Sequence, residues 1–239
     1  MTGGSGLLGS EILKFDSGIV APPHAEFDVA DFESVRVGFE KYRPDIVLHL
    51  AAATQPPEHE KNPELGLRVN IIGTANVARA CTEFGIRLVY ASTDYVYVGT
   101  GPHKEDEPLY APYKFGWSKL GGECAVRLAD NSLILRLSFG PVPFPWEKVY
   151  ADQYNSKLYV DEIAPLVLGA ARSHAVGVMN VGGPRATLEE YAKRTRADIE
   201  TIPRPSWVPC DTSLDISRMK KELGVSDEYI VLKHHGNSL

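Results

Sequence analysis

Nine residues at the start of the chain, Met1-Thr-Gly-Gly-Ser-Gly-Leu-Leu-Gly9, constrain its fold more than any other stretch. Gly3, Gly6 and Gly9 recur every third residue, and the apolar helical pattern of Leu7, Leu8, Ile12 and Leu13 follows at once. Small residues are needed at these points by a loop that turns tightly, lets backbone approach a phosphate and packs its helix closely on a sheet. The new helix offers free N–H groups and the positive end of its dipole to an anion. The combination fits a dinucleotide pyrophosphate and calls for a strand just before Thr2, where only Met1 stands. The first strand is therefore expected to be missing, its neighbours flanking a gap. About five apolar residues upstream would restore it, and Met1 reads as a truncated or misassigned start.

Helical and strand-like patterns then alternate, as parallel βαβ units require. Gly18-Ile-Val-Ala21, closed by Pro22-Pro23, suits a second strand, and a helix from about Asp31 to Tyr42 stops before Pro44. The continuous apolar run from Ile46 to Ala53 has the texture of a strand covered on both faces. The segment from Glu64 to Phe84 is helical in period, Arg87–Thr93 is a buried strand, 113–130 a helix and Leu133–Leu137 the next strand. After Phe139 three prolines in Gly140–Trp146 forbid regular structure. A small second lobe is expected there, with a helix over Val160–His174, a strand over Val178–Val181, a helix opened by the capping box Thr187-Leu-Glu-Glu190, and a last helix from Asp215 to Leu223. The predicted fold is α/β: a Rossmann-type doubly wound parallel sheet over 1–139, a small C-terminal α/β substrate lobe over 140–225 with the chain crossing back, and a tail over 226–239.

Composition narrows the partners. With 239 residues, 44% hydrophobic, the chain is long enough to bury a sizeable core. A net charge of −6 without any basic run argues against nucleic acid and anionic membranes. No apolar run approaches the roughly 18–20 residues of a membrane span, and no signal peptide precedes the glycine loop, so a cytoplasmic location is expected. Cys81, Cys124 and Cys210 form no CxxC pair, and no metal site is expected. Glu105-Asp-Glu107 reads as a solvated loop rather than a metal site, and His234-His235 as part of a frayed tail. Trp146, among prolines, is a better candidate than Trp117 to line a cleft.

Several residues fit chemistry at the carboxyl edge of such a sheet. Asp28-Val29 follows the second strand, where a carboxylate accepts from an adenine amino group or simply serves a helix N-terminus. Ala51-Ala52-Ala53 puts methyl side chains where ligands lie in open α/β sheets. Asn70 reads either as a buried hydrogen-bonding brace or as a solvated side chain.

Taken in order, Thr2–Gly9, Asp28-Val-Ala-Asp31, Pro44-Asp45, His49–Ala53, Val69-Asn70, Ser92-Thr-Asp-Tyr-Val96, Gly116-x-Ser-Lys-Leu120 with Glu123, Asp152-Gln-Tyr154 and Asp215-x-Ser-Arg218 resemble the extended short-chain dehydrogenase/reductases. Within them the likeness is to the dTDP-4-dehydrorhamnose reductase-like (RmlD-type sugar-nucleotide-binding) branch, over about residues 2–220. Tyr95 stands where dehydratases of the wider family have Glu. The resemblance implies NADPH or NADH along Gly3, Ser5, Gly6, Leu7, Leu8, Gly9, Asp28, Val29, Ala51, Ala52, Ala53, Asn70 and Lys119. It implies a nucleotide-sugar substrate at Thr93, Asp94 and Phe139, and catalysis by Thr93, Lys119 and a tyrosine four residues before that lysine. Ala21-Pro-Pro-His24 supplies neither the acid that favours NAD nor an Arg for NADP, and homodimers are a fold-level expectation.

The chain departs from this pattern where the chemistry is most exacting. Phe115, not Tyr, lies four before Lys119, while Tyr113 lies six before it. Phe keeps the ring and lacks the hydroxyl, and losing a general acid costs roughly 10²–10⁴ in rate. Tyr95-Val-Tyr-Val-Gly99 lacks the family's Asp before Gly, and Phe139–Gln153 looks shortened. The implied activity is reduction of a 4-keto-6-deoxy nucleotide sugar with impaired proton transfer. The alternative is a non-catalytic dinucleotide- or nucleotide-sugar-binding regulatory protein, similar to the regulatory subunit of methionine adenosyltransferase.

Overall fold

The structure, a computed structural model, describes residues 1–226. From 227 on, the expected tail lies outside the described residues, and His234-His235 with it.

After the glycine loop, α1 (Leu7–Phe15) buries Leu8 and Ile12. α2 (Phe32–Tyr42) starts on Asp31, whose carboxylate accepts from the Glu33 N–H, and β1 (Ile46–His49) follows. α3 (Pro56–Lys61) precedes a π-helical stretch, Gly66–Gly73, that runs into α4 (Thr74–Phe84). Next come β2 (Arg87–Thr93), a 3₁₀ turn (Asp94–Val96), α5 (Lys114–Val126) and β3 (Ser132–Leu137). Four short strands come next: β4 (Phe139–Gly140), β5 (Lys148–Tyr150), β6 (Tyr154–Asn155) and β7 (Leu158–Tyr159). α6 (Val160–Arg172), β8 (Gly177–Val181), β9 (Ala186–Thr187), α7 (Leu188–Lys193), β10 (Glu200–Ile202) and α8 (Ser217–Leu223) complete the order. The capping box read at Thr187 and Glu190 is formed.

β1, β2, β3 and β8 make one four-stranded parallel sheet in that order. The strand period of two divides their side chains between two layers. Leu48, Val89, Leu133, Leu135 and Met179 meet α1 and α6. Val47, Leu88, Tyr90, Ile134 and Val178 face the other way, with Phe39 of α2, Val77 and Cys81 of α4 and Val126 of α5. Helices on both faces explain why the strands read as unbroken apolar runs. The strand expected over Val178–Val181 in a second lobe pairs instead with β3, as β8 at the edge of this sheet. Smaller pairs, β5 with β10, β4 with β7 and β6 with β9, lie outside this sheet.

Two expectations are corrected here. Gly18–Ala21 does not form a strand. A strand needs a ladder neighbour, and among the described residues this segment finds only the Met1 amino group, which donates to the Val20 carbonyl at 2.6 Å. Thr2 alone bridges β1, its N–H donating to the Leu48 carbonyl and its carbonyl accepting from Leu50. Among the described residues no other strand takes the place beyond β1. A groove of about 420 Å³ lies there instead, lined by Thr2, Ile19, Phe27, Phe39, Ile46 and Val47 among others. The strand expected over 46–53 stops at His49. The reason is local: the Ala53 N–H and carbonyl are both taken by the Asn70 side chain, at 2.8 and 3.0 Å.

Candidate active site

The glycine loop leaves the sheet at Thr2 and is pinned to the end of β1. The Thr2 hydroxyl lies 2.7 Å from His49 Nδ1 and accepts from the Ala51 N–H at 3.1 Å. Gly3 has φ +71°, and a Cβ there would stand 2.7 Å from the Ala51 nitrogen. A Cβ on Gly9 would come within 2.3 Å of the Gly3 carbonyl oxygen. Glycine is thus required twice, once by conformation and once by approach. α1 begins on Gly6 with no side-chain cap and no acid in its first turn. Its leading N–H groups are left for an anion. Ser5 and Leu7 are exposed beside them, whereas Leu8 is buried and seats the helix.

The other predicted residues divide by what they touch. One oxygen of the Asp28 carboxylate accepts from the Ala30 N–H at 2.9 Å and the other from Arg68 at 3.3 Å. Val29 is core, its carbonyl held by Asn76. Ala51, Ala52 and Ala53 are partly exposed past the end of β1. Asn70 is the buried brace: besides clamping Ala53, it donates to Ser118 Oγ at 2.8 Å, and Ser118 donates to the Phe115 carbonyl at 2.7 Å. It sits in the π-helical stretch, a distortion common near functional sites. Asn70 and Val29 therefore position other groups and are themselves shut off from solvent.

Thr93 caps the 3₁₀ turn by accepting from the Tyr95 N–H, and its hydroxyl lies 3.2 Å from Asp94 Oδ1. Asp94 Oδ2 accepts from Ser138 and Thr212, each at 2.9 Å, so this carboxylate ties the end of β3 to the segment around Thr212. Phe139 is partly buried at the same seam, with its carbonyl accepting from Lys157 Nζ at 3.2 Å.

Phe115 and Lys119 both lie buried on α5, at 7% and 4% exposure. Phe115 meets His59 and Tyr95 edge-on, with ring centroids 5.4 and 6.4 Å away. Lys119 Nζ stands 4.2 Å from the centre of the Tyr90 ring. Burial pulls its pKa down to about 7, against an opposing pull from Glu123. Glu123 is itself held by Arg136 at 2.9 and 3.0 Å and by Ser92 at 2.6 Å. Burial, with the nearby Lys119 charge, also holds His49 down to about 3, so its ring is neutral between Thr2 and Thr74. Tyr113 turns away from Lys119, its hydroxyl 3.4 Å from the Trp207 carbonyl and its ring edge-on to Trp207.

Several residues of this region were not anticipated. His59, on the short α3, bonds the Ala53 carbonyl at 2.9 Å; two prolines ahead of a Glu-rich stretch hid that helix. Lys157 lies between two-residue strands with no readable period. Trp207 stands edge-on to Tyr113, and Trp146 packs on Phe144. The acidic loop is more engaged than a solvated one: Glu105 accepts from the Asn180 N–H and Glu107 lies 2.7 Å from His103 Nδ1. Among the described residues no cluster of His, Cys, Asp or Glu is placed to hold a metal, and no helix is long and apolar enough to cross a membrane.

The glycine loop, Thr93, Lys119 and the seam at Phe139 thus gather at the carboxyl ends of β1, β2 and β3. A dTDP-4-dehydrorhamnose reductase of Streptomyces griseus is 35% identical over 147 residues, 58% of this chain and 48% of the relative. The probable low-salt glycan biosynthesis reductase Agl14 of Haloferax volcanii is 37% identical over 283 aligned positions, 95% of this chain and 92% of the relative. Methionine adenosyltransferase 2 subunit beta of Xenopus laevis is 33% identical over 150 residues, 57% of this chain and 45% of the relative. The chain spans about half the length of the first and last of these. The crystal structure of dTDP-4-dehydrorhamnose reductase from Bacillus anthracis in complex with NADP shares the fold, with a TM-score of 0.83, 24% identity and coverage of 96% and 95% of the two chains. The RmlD substrate binding domain model matches residues 1–140, and the chain belongs to that family.

Proposed function

We propose that the chain is an NAD(P)H-dependent reductase that converts the carbonyl of a 4-keto-6-deoxy nucleotide sugar to the alcohol. The observation that carries this reading is the meeting of the glycine loop with Thr93 and Lys119 at one edge of the sheet. The loop fits the cofactor on its own terms: Gly3 and Gly9 leave a cradle that a Cβ would fill, and uncapped N–H groups open onto it. When bound, the reduced dinucleotide supplies a hydride. Gly3, Ser5, Gly6, Leu7 and Gly9 would hold its phosphates, Asp28 its adenine side and Lys119 its ribose. Ala51–Ala53 leave room for it, with Leu8, Val29 and Asn70 fixing the elements around them.

On the substrate side, the Thr93 hydroxyl orients the carbonyl oxygen, Phe139 lines the sugar, and Asp94 holds the seam closed. Phe115 fills the place of the family's phenol without its hydroxyl. Turnover slower than in tyrosine-bearing relatives by roughly 10²–10⁴ is expected. The test is NADPH oxidation by the unmodified chain with dTDP-4-dehydrorhamnose: slow but measurable turnover is the expected result, and none on any 4-keto nucleotide sugar would refute the reading.

Phe115 also favours a second reading, a dinucleotide-binding regulatory protein in the manner of the methionine adenosyltransferase subunit. Cofactor binding without turnover, together with a stable hetero-partner in pull-down, would select it.

A further inference from the structure

We propose that Lys119 is itself the proton donor of this site, its ammonium protonating the oxygen that hydride addition leaves on the substrate. The inference rests on the reductase reading above. Phe115 and Lys119 are four apart on α5 and so share a face. Phe115 packs edge-on against Tyr95 in the turn that follows Thr93, and its ring has no proton to give; Lys119, one turn on along the same face, is the acid that α5 offers there.

The surroundings keep that ammonium free to act. Glu123, one turn on, is committed to Arg136, Ser92 and, at 3.8 Å, Arg127. From the sheet, Tyr90 presents its ring face and His49 is neutral. On the side of α3 and the 3₁₀ turn, His59 and Tyr95 lie against Phe115 instead. A lysine buried without an ion pair of its own releases its proton near neutrality, here at about 7, where a general acid is most effective.

The other candidates are poorer. Burial raises the Tyr113 hydroxyl to about 12 and Tyr95 also upward. Thr93 is bonded toward Asp94, and Lys157 is held by the Phe139 carbonyl. In the step, the carbonyl carbon accepts a hydride from the reduced dinucleotide, which is oxidised, and the C=O π pair moves to oxygen. That oxygen takes a proton from Lys119 Nζ, leaving a neutral amine that solvent reprotonates.

Three measurements test this. The first is an NMR titration of ¹³Cε-labelled lysine in the chain without dinucleotide, the signal assigned by its loss in Lys119→Arg. A midpoint near neutrality is expected, and one above about 9, within the ordinary lysine range, overturns the proposal. The second is the pH profile of kcat. Because the charged amine is the active form, kcat should fall tenfold per unit above neutrality; a flat profile overturns it.

The third is substitution. Arginine keeps the charge and does not release its proton, so Lys119→Arg should lower kcat by roughly 10²–10⁴ while NADPH affinity changes only a few-fold. Lys119→Gln, checked for folding by circular dichroism, guards against a misfit of the larger side chain. Lys157→Met should leave the alkaline limb of the profile in place. If either Lys119 variant keeps the full kcat, or the limb moves with Lys157, the proposal fails while the reductase reading stands. No turnover by the unmodified chain and by Phe115→Tyr alike would overturn that reading, and the proposal with it.

Discussion

On the proposed reading, Phe115 concentrates the chemistry in one missing oxygen atom. Its ring packs against His59 and Tyr95, so the expected cost falls on proton transfer and not on the fold. Gly9 shows the opposite balance. A methyl there would meet the Gly3 oxygen and, at 2.8 Å, the Gly4 Cα, both backbone. Gly9→Ala should therefore weaken NADPH binding by roughly tenfold or more, about 1.4 kcal/mol, as fluorescence titration would read. The Glu123–Arg136 pair is buried at both ends, at 1% and 0% side-chain exposure. Removing one partner leaves a buried charge uncompensated, so Glu123→Ala should cost about 3–5 kcal/mol in urea unfolding. His49 adds a pH dependence. Its folded pKa of about 3 lies below the ordinary histidine value of 6.5, so the unfolded chain binds the proton first. The stability tied to this ring is complete above about 6.5 and lost as pH falls toward 3, at about 1.4 kcal/mol per unit. Urea midpoints measured between pH 7 and 5 should decline, and His49→Gln should flatten the decline.

At the scale of elements, what the sequence made legible is what local pattern decides. β2, β3 and α5 were found within a few residues because two-sided burial and helical period are written in consecutive residues. The run at 18–21 has the pattern of a strand, but a strand exists only with a neighbour, and among the described residues only the Met1 amino group bonds to it. The β5–β10 pair joins three-residue strands some fifty positions apart, and its signal is tertiary. Asn70 illustrates the half-legible case: its polarity on an apolar face marked it, but only the fold shows that it joins Ala53 to α5 through Ser118. Asn70→Ala should strand the Ala53 N–H and loosen α5, at a cost of about 1–3 kcal/mol by chemical denaturation, with NADPH affinity falling alongside.

For the molecule as a whole, the site is a seam. In the proposed site the glycine loop, the end of β2 and α5 supply Gly3–Gly9, Thr93 and Lys119, while Thr212 and Lys157 reach Asp94 and Phe139 from later in the chain. The glycine loop that we assign to the cofactor is legible in ordered motifs near the start of the chain. On the proposed substrate side Thr93, Asp94 and Phe139 are legible in the same way, whereas Lys157, Thr212 and Trp207 are not, because they come from short, aperiodic segments. The central claim, that this seam is a nucleotide-sugar reductase lacking only its phenol, is tested most directly by kcat for NADPH oxidation before and after Phe115→Tyr. A gain of roughly 10²–10⁴ on a 4-keto nucleotide sugar is the predicted result; no gain on any such substrate would contradict it.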